Sequence, residues 1–583
     1  MRSKEAGTWR SRLKHGLRRL AFSVVIHRAR RAAAAFHAST QDPRQAQRAV
    51  LFEKVRRTQL SDFGRRHHFA GIRSVSDFRR HVPICTYEYY QPYIDRLARG
   101  ENSALLGPGQ QVLMFALTSG THSARKQIPI TAEYLREFRR GWTVWGYEAW
   151  KIHDEMFRHA HLQIVSDPEE FLTEGGIPCG SVSGLVAKMQ SRLVRLLYCV
   201  PPCAGKIEDA TAKYYTILRL AMAKSVSWIA SANPSTLVTL ARLGDSEKES
   251  LVRDIADGTL SDRFDVPAAV RAELASRIGK KNPARAAKLE DIVRRTGHLY
   301  PKDYWTDLQI MGNWTGGAVG AYLRHYPRLY GDVPVRDIGL IASEGRMTIP
   351  LVDGSPGGVL DVTSHYFEFI PEDEIDSPQP TVLEAHELEE GRNYFILLTT
   401  SSGLYRYNIY DVVRVSGFHY RTPILEFLNK GSHIASITGE KLSEGQVCRA
   451  VERGLGDLGL TLTAFTLAPC WDDERPYYGL FIERDDLAAA EQADLLLARV
   501  EHYLRTVNME YDSKRHTLRL GPLRLVGLPP GTWSRFDRQR LAASGGTLEQ
   551  YKHPCLVPDL DFANQLPVDG QLVLDADAVV QSA

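Results

Sequence analysis

The chain has 583 residues, 43% of them apolar and 24% charged, with a formal net charge of +4. That length predicts two to four domains with ample core, and the near-neutral balance removes any global electrostatic case for nucleic-acid binding. The seven cysteines are odd in number and lack a second Cys or His pair at zinc spacing, which points to free thiols in a reducing, cytoplasmic setting and away from a zinc centre.

The first forty residues are strongly basic: Arg2, Lys4, Arg10, Arg12, Lys14, Arg18, Arg19, Arg28, Arg30 and Arg31 face a single acid, Glu5. The apolar run Leu20 to Ile26 is too short to cross a bilayer, so the segment predicts a solvated terminal helix, with contact to an anionic membrane surface as the alternative. From Gln45 to Arg99 the pattern is helical, with Leu51, Val55 and Leu60 expected to face inward and turn signals at Pro83 and Pro92. Next, the apolar strand Val112 to Leu117 runs into Thr118-Ser119-Gly120-Thr121, with Arg125 and Lys126 close behind. Hydroxyls, a permissive glycine and cations in that order suit a phosphate cradle; an ordinary polar hairpin fits the stretch equally well. No Gly-Lys-Ser/Thr ending follows, which excludes a Walker A loop.

Ala132 to His161 reads as helix and Leu162 to Val165 as a short strand. Between Gly184 and Gly297 the pattern is mainly helical, interrupted by Pro234 and Pro267. There Met189, Leu193, Leu196 and Leu197 recur at helical spacing, as core or as the lining of an apolar pocket. After Trp305 strands and turns alternate. Asp337 to Glu344 reads as an apolar strand delivering Ser343 and Glu344 at its carboxyl end, where ligand sites of α/β sheets lie. Gly403 to Asp411 leads into the strand Val412 to Val415, and Asp411 is either a ribose acceptor or a turn residue. Pro423, Gly431 and Gly439 mark a pivot or linker. Beyond it a smaller α+β unit is expected, with helix at Leu487 to Val507, strand at Arg519 to Val526, and a loop opened by Gly545-Gly546 that holds Gln550-Tyr551-Lys552. The divisions expected are a basic extension at 1–40, a large domain at 41–430 and a small domain at 431–583.

Several blocks recur in one order: Thr118-Ser-Gly-Thr121 with Lys126 and Pro129; Ala342-Ser343-Glu344; Phe367-Glu-Phe-Ile-Pro371; Gly403-Leu-Tyr-Arg-Tyr407 with Asp411-Val-Val and Gly417-Phe418; Asn508 with Tyr511 and Arg515; Gly521-Pro-Leu523; and Gln550-Tyr-Lys552. From about Phe36 to Val557 the chain resembles the auxin-responsive Gretchen Hagen type acyl acid amido synthetases, bacterial members included, of the acyl-adenylate-forming superfamily. The first block is common to the superfamily. The GLYRY, FEFIP and QYK blocks are the specific ones.

The resemblance implies an α/β fold: a large N-terminal adenylate-forming domain of mixed sheets and helices, and a smaller, mobile α+β C-terminal domain. It implies that a carboxylic acid and ATP, with Mg2+, give an acyl-adenylate and pyrophosphate, and that an amine, usually of an amino acid, takes the acyl group. By the same resemblance Thr118, Ser119, Gly120 and Thr121 hold phosphates, with Lys126 and Ser343 also at the nucleotide. Glu344 ligates magnesium, Asp411 binds the ribose with Lys430 nearby, and Lys552 of the mobile domain neutralises the transition state. Trp314 is the candidate for the acyl pocket, or else a core aromatic. Ser123 and Ala124 depart from the common Gly-Lys of the loop, and His122 from its Thr or Ser. Tyr410 stands where a Gly normally precedes the Asp, so it must adopt that residue's backbone angle or shift the turn. Two alternatives stay open: transfer to the thiol of coenzyme A or a carrier protein, and nucleotide binding without turnover.

Overall fold

The computed structural model describes residues 25–118, 126–164, 166–190, 192–195, 197–316, 322–375, 377–429, 431, 434–472, 475–486, 490–544, 553–568 and 570–573. Ser119, Gly120, Thr121, Lys430 and Lys552 lie outside them, as does the basic stretch before residue 25.

A helix over residues 25–39 (α1) packs Ala33 and Phe36 against Val144 and Trp145. Pro43–Thr58 (α2) starts where the Asp42 carboxylate accepts the Gln45 N–H at 3.0 Å and Pro43 takes a position that needs no donor. Its inward face carries Leu51 and Val55, as expected. Leu60, in contrast, is 53% exposed, because the helix stops at Thr58 and its period no longer applies. Tyr87–Ala98 (α3) contributes a second aromatic face to the same core. Val112–Thr118 (β1) pairs antiparallel with Lys126–Thr131 (β2), in one sheet with the short strands Pro178–Gly180 and Phe171–Leu172. Thr131 then caps Ala132–Trp150 (α4), its hydroxyl accepting the Tyr134 N–H. That helix ends eleven residues before the expected His161, since His153 leaves the axis to meet Asp353 at 2.7 Å. Met189, the first residue of the expected stripe, is not core: the short helix Val182–Lys188 ends before it and it is 45% exposed, while the Leu193 side chain and Leu196 lie outside what the structure describes.

A four-stranded parallel sheet follows in sequential order, Ala160–Gln163 (β3), Val226–Ala230 (β4), Ile310–Asn313 (β5) and Val335–Asp337 (β6). Ala210–Ala221 (α5) and Pro234–Ser246 (α6) cover it, and β4 is buried throughout, as a doubly covered strand requires. Trp145 of α4, against Trp228 of β4, ties this layer to α1.

The third layer is a seven-stranded antiparallel sheet containing Tyr366–Pro371 (β7), Asn393–Thr399 (β8), Tyr407–His419 (β9) and Thr422–Asn429 (β10), in spatial order β10-β9-β8-β7 with short strands at both edges. Beyond it the small lobe combines Glu444–Leu458 (α7), Phe465–Cys470 (β11), Tyr477–Glu483 (β12), Ala490–Val507 (α8), Met509–His516 (α9), Arg524–Leu528 (β13), Thr532–Ser544 (α10) and Gly570–Val573 (β14) around its own core. Its sheet runs β11-β12-β13-β14, with only β12 and β13 parallel. Strand β13 starts five residues later than Arg519, because Gly521 and Leu523 first donate to Pro476 O and to Glu501.

The FEFIP and GLYRY blocks, and the block with Tyr511 and Arg515, are staples within these layers. Glu368 of the FEFIP block accepts Nε–H from Arg406 of the GLYRY block and from Arg79, both at 2.8 Å. In the small lobe Glu501 accepts from the Tyr511 hydroxyl, the Arg515 guanidinium and the Leu523 N–H. Both glutamates are 1% exposed. Buried carboxylates with several donors hold their surroundings in register, because removing any partner strands a charge in low dielectric.

Candidate active site

The β1–β2 hairpin brings Thr118 opposite Lys126. The Lys126 ammonium sits 5.2 Å from the ring centroid of Tyr87, at the start of α3, and the Tyr87 oxygen accepts the Gln127 N–H at 2.8 Å. One tyrosine therefore holds the strand that leaves the TSGT loop, through a cation–π contact and a backbone hydrogen bond.

Ser343 and Glu344 are not at the end of a parallel strand. Strand β6 stops at Asp337, Gly339 turns the chain at φ +91°, and Ile341–Ala342 pairs back on Gly345–Arg346, leaving Ser343 and Glu344 at a hairpin tip. The Tyr134 hydroxyl holds that tip by donating to the Ser343 carbonyl at 3.0 Å. Glu344 is 7% exposed, and its charge is felt by the hydroxyls of Tyr87, Tyr134 and Tyr407. Burial above all, with Glu344 among the lesser causes, pushes Tyr87 up to about 12 and Tyr134 and Tyr407 higher still. All three phenols thus remain protonated hydrogen-bond donors at neutral pH.

Tyr407 opens β9, and four residues on lies Asp411, 3% exposed. Strand β9 bulges here: Asn408 pairs with Leu397 and Val412 with Phe395, so Ile409, Tyr410 and Asp411 all face the single residue Ile396. Tyr410 takes the left-handed angle expected of the missing glycine, φ +60°, with its N–H donated to Asn408 Oδ1 at 2.8 Å. Tyr410 thus adopts a backbone angle that a glycine takes freely and that an L side chain takes at a cost. Across the strand pair Val412 meets Asn429, and Gly431 (φ +68°) lies beside the Tyr410 carbonyl. The chain on either side of position 430 is thereby brought next to Asp411.

Trp314 follows the carboxyl end of β5. Its ring lies 5.2 Å from Phe427, which pairs with Val413, two residues beyond Asp411. The next residue, Thr315, donates its N–H and hydroxyl to Asp337 Oδ2 at 2.6 Å each, joining the ends of β5 and β6. At the end of β4, Asn233 donates to the Thr438 carbonyl of the small lobe at 2.9 Å. Tyr322 reaches the Arg519 carbonyl at 3.3 Å and packs edge-on against Trp471. The small lobe thus stands over the carboxyl ends of the parallel strands, the usual ligand position in such sheets.

The pivot expected around Gly431 and Gly439 is a strained loop: Gly439 has φ +102° and Lys441 φ +51°. Glu440 between them is fully buried and accepts from the N–H groups of Ile437 and Thr438, the Thr438 hydroxyl and the Tyr478 hydroxyl. Asn508, one of the family-type residues, donates to the carbonyls of Glu440 and Lys441. Sequence reading missed Tyr87, Tyr134 and Glu440, which carry no local motif, and gave Tyr407 no role within its GLYRY block; a tyrosine in an amphipathic helix looks like core.

An Mg2+ ion needs only one or two carboxylates beside substrate phosphates and water. A nearly buried Glu344 close to Tyr87, which carries Lys126 on its ring, fits that requirement. Among the described residues the one cluster with metal-ligand spacing is Glu384, His386 and Glu387, where the two glutamates already form a reciprocal helix cap.

These features define an acyl acid amido synthetase fold. The structure matches the GH3.15 acyl acid amido synthetase with a TM-score of 0.63 at 21% identity, covering 93% of this chain and 97% of that one. The chain belongs to the GH3 family. The family's N-terminal domain matches residues 32–335, its central domain 358–430 and its C-terminal domain 445–561. Similar proteins include the jasmonoyl--L-amino acid synthetase JAR4 of Nicotiana attenuata, 25% identical over 90% of this chain and 93% of that protein. The probable indole-3-acetic acid-amido synthetase GH3.12 of Oryza sativa subsp. japonica is likewise 25% identical, over 90% and 93%. Among the described residues no helix is long and apolar enough to cross a membrane.

Proposed function

We propose that this chain is an ATP-dependent acyl acid amido synthetase that activates a small carboxylic acid as its acyl-adenylate and transfers the acyl group to an amine, an amino acid in the first instance. One observation supports the reading: in a GH3-family chain, Lys126 and Glu344 share the neighbourhood of Tyr87, and Asp411 lies four residues along β9 from Tyr407, whose hydroxyl also feels Glu344.

Attack of the acid's carboxylate on the α-phosphorus builds charge on phosphoryl oxygens, so donors and cations must already be aimed there. Thr118, Ser119, Gly120 and Thr121 supply hydroxyls and amides to the phosphates. Lys126, steadied on Tyr87, offsets charge, and Ser343 lies beside the same nucleotide. Glu344 would hold Mg2+, which supplies electrostatic stabilisation of the pyrophosphate. Asp411 accepts the ribose hydroxyls with Lys430 alongside, while Trp314 borders the acyl pocket. Lys552 enters from the small domain for adenylation and withdraws when residues 431–583 rotate against 41–430. A cytoplasmic setting and kinship with the family's bacterial members belong to the same proposal; the seven free thiols support the first, and only 25% identity to the plant proteins is in keeping with the second.

The test is mass spectrometry of products after incubation with ATP, Mg2+ and pooled carboxylic acids, with pooled amino acids or coenzyme A in separate arms. An amide and AMP in the amino-acid arm alone are expected. A thioester instead would move the acceptor to a thiol, and nucleotide binding without acid-dependent pyrophosphate release would make the chain a binding protein.

A further inference from the structure

All seven cysteines are free thiols, and they divide into two kinds. Cys85, Cys179, Cys199, Cys203 and Cys470 are buried, and burial raises each thiol's pKa to about 11 or 12, which keeps it protonated and inert. Cys448 and Cys555 are half-exposed and hydrogen-bonded to one another.

Their contact is built by the backbone. The Cys555 N–H donates to Glu444 Oε1 at 2.9 Å, and Glu444 lies one helical turn before Cys448 on α7, so both point to the same side chain neighbourhood. Cys555 is in turn held on β11, its carbonyl accepting the Leu467 N–H at 2.8 Å and Val557 donating back to Leu467 at 3.0 Å. His553 bridges Asp537 and Thr466 at 2.8 and 2.9 Å. The segment is therefore stitched down from His553 onward, and Lys552 is the residue before the first stitch. The hydrogen bond from the Cys555 thiol is the leading cause of a lowered pKa at Cys448, while Glu444 and Glu452 oppose ionisation of both. The two thiols titrate as one pair: the thiolate on either sulfur is held by the S–H of the other.

We propose that Cys448 and Cys555 are an oxidation site that a hydroperoxide converts to a reversible disulfide, and that this bond, by drawing the root of the Lys552 segment onto α7, slows adenylation; the second half rests on the function proposed above. The thiolate of one sulfur attacks the peroxide, giving a sulfenic acid and hydroxide. The thiol of the other then displaces the sulfenic oxygen as water. Two thiols lose two hydrogens and two electrons, and hydrogen peroxide is reduced to two waters. Thiols already in contact need only a short approach to the S–S length of about 2.0 Å, and dithiothreitol reverses the bond by thiol exchange.

The full chain is treated with hydrogen peroxide or with dithiothreitol, digested without reduction and mapped by mass spectrometry, and acid-dependent pyrophosphate release is followed in parallel. A Cys448–Cys555 cross-linked peptide, lighter by two hydrogens than its separate parts, is expected, with release slowed about fivefold or more and restored by dithiothreitol. Cys448→Ser and Cys555→Ser should each keep the reduced enzyme's rate and resist the peroxide. Absence of the cross-link, or peroxide loss unchanged in both variants, overturns the site. A quantitative cross-link with an unaltered rate overturns its effect on catalysis. If the reduced chain releases no pyrophosphate with any acid, the proposed activity fails, while the peptide map still decides the thiol pair.

Discussion

Replacing Glu368 by Ala should open the seven-stranded sheet at its best-buttressed point. The carboxylate is 1% exposed and accepts one 2.8 Å hydrogen bond from Arg79 and another from Arg406. The Arg79 side chain is 29% exposed and can rehydrate, but the Arg406 side chain is 6% exposed and would be left charged in low dielectric. Breaking a buried pair of this kind costs about 3–5 kcal/mol, and the partial exposure of Arg79 puts the expected value near the lower end, about 3 kcal/mol. Arg406 also has φ +46°, sends Nη1–H to the Val82 carbonyl at 2.8 Å and accepts the Cys85 N–H on its own carbonyl. Losing its counter-ion should therefore loosen the turn that leads into α3 and Tyr87. Because a two-lobed chain does not unfold in one step, hydrogen exchange of peptides from β7 and β9, with those of α8 as an internal reference, is the suitable assay. Opening free energies reduced by about 3 kcal/mol in the sheet and unchanged in the small lobe are expected. A loss below about 1 kcal/mol in the sheet would refute the reasoning, because it would mean both guanidiniums find other partners.

The remaining predictions concern the site and the core. Tyr410→Gly removes a left-handed non-glycine residue whose side chain is 38% exposed. Relief of about 1–2 kcal/mol of strain, less about 0.5–1 kcal/mol of added chain entropy, should raise the large lobe's thermal midpoint, and a lowered midpoint would show that the ring carries contacts worth more. Tyr87→Ala should raise the KM for ATP about tenfold, and Tyr87→Phe, which keeps the ring under Lys126, only about threefold; equal effects would deny the ring any role. His161 is 1% exposed among Phe157, Tyr198 and Trp228, and burial lowers its pKa from 6.5 to about 4. With the folded value depressed, the unfolded state takes the proton first, so this contribution is complete above about pH 6.5 and is lost as pH falls toward 4, to about 3 kcal/mol in all. Denaturation midpoints at several pH values should fall over that window and fall less in His161→Phe; parallel curves would assign the acid sensitivity elsewhere.

Local signals in the chain were sufficient where one residue type answers one backbone demand: Gly431 and Gly439, singled out from the sequence, both take left-handed angles. The helix starts at Asp42, Ser443 and Asn508, whose side chains satisfy the first amides, became evident in the structure. The Asp-bearing strand after GLYRY was also legible, and the misfit of Tyr410 could be stated before its φ angle was known. Expectations drawn from periodicity alone did less well. Leu60 and Met189 keep the spacing of buried residues but lie past the ends of their helices, and a helix's end depends on what its neighbours offer, as His153 and Asp353 do for α4.

By itself, then, the sequence determined the class of fold and offered candidates for a nucleotide site, because hydroxyl-rich turns, acids after apolar strands and family blocks are written in consecutive positions. Only the tertiary structure decided how they meet. Glu344 reached a hairpin tip instead of a strand end, Asp411 a bulge, and Glu368 found Arg79 and Arg406 from segments 289 and 38 residues away. Burial and charge pairing across such separations arise from packing the whole chain at once, so no single stretch of it contains them.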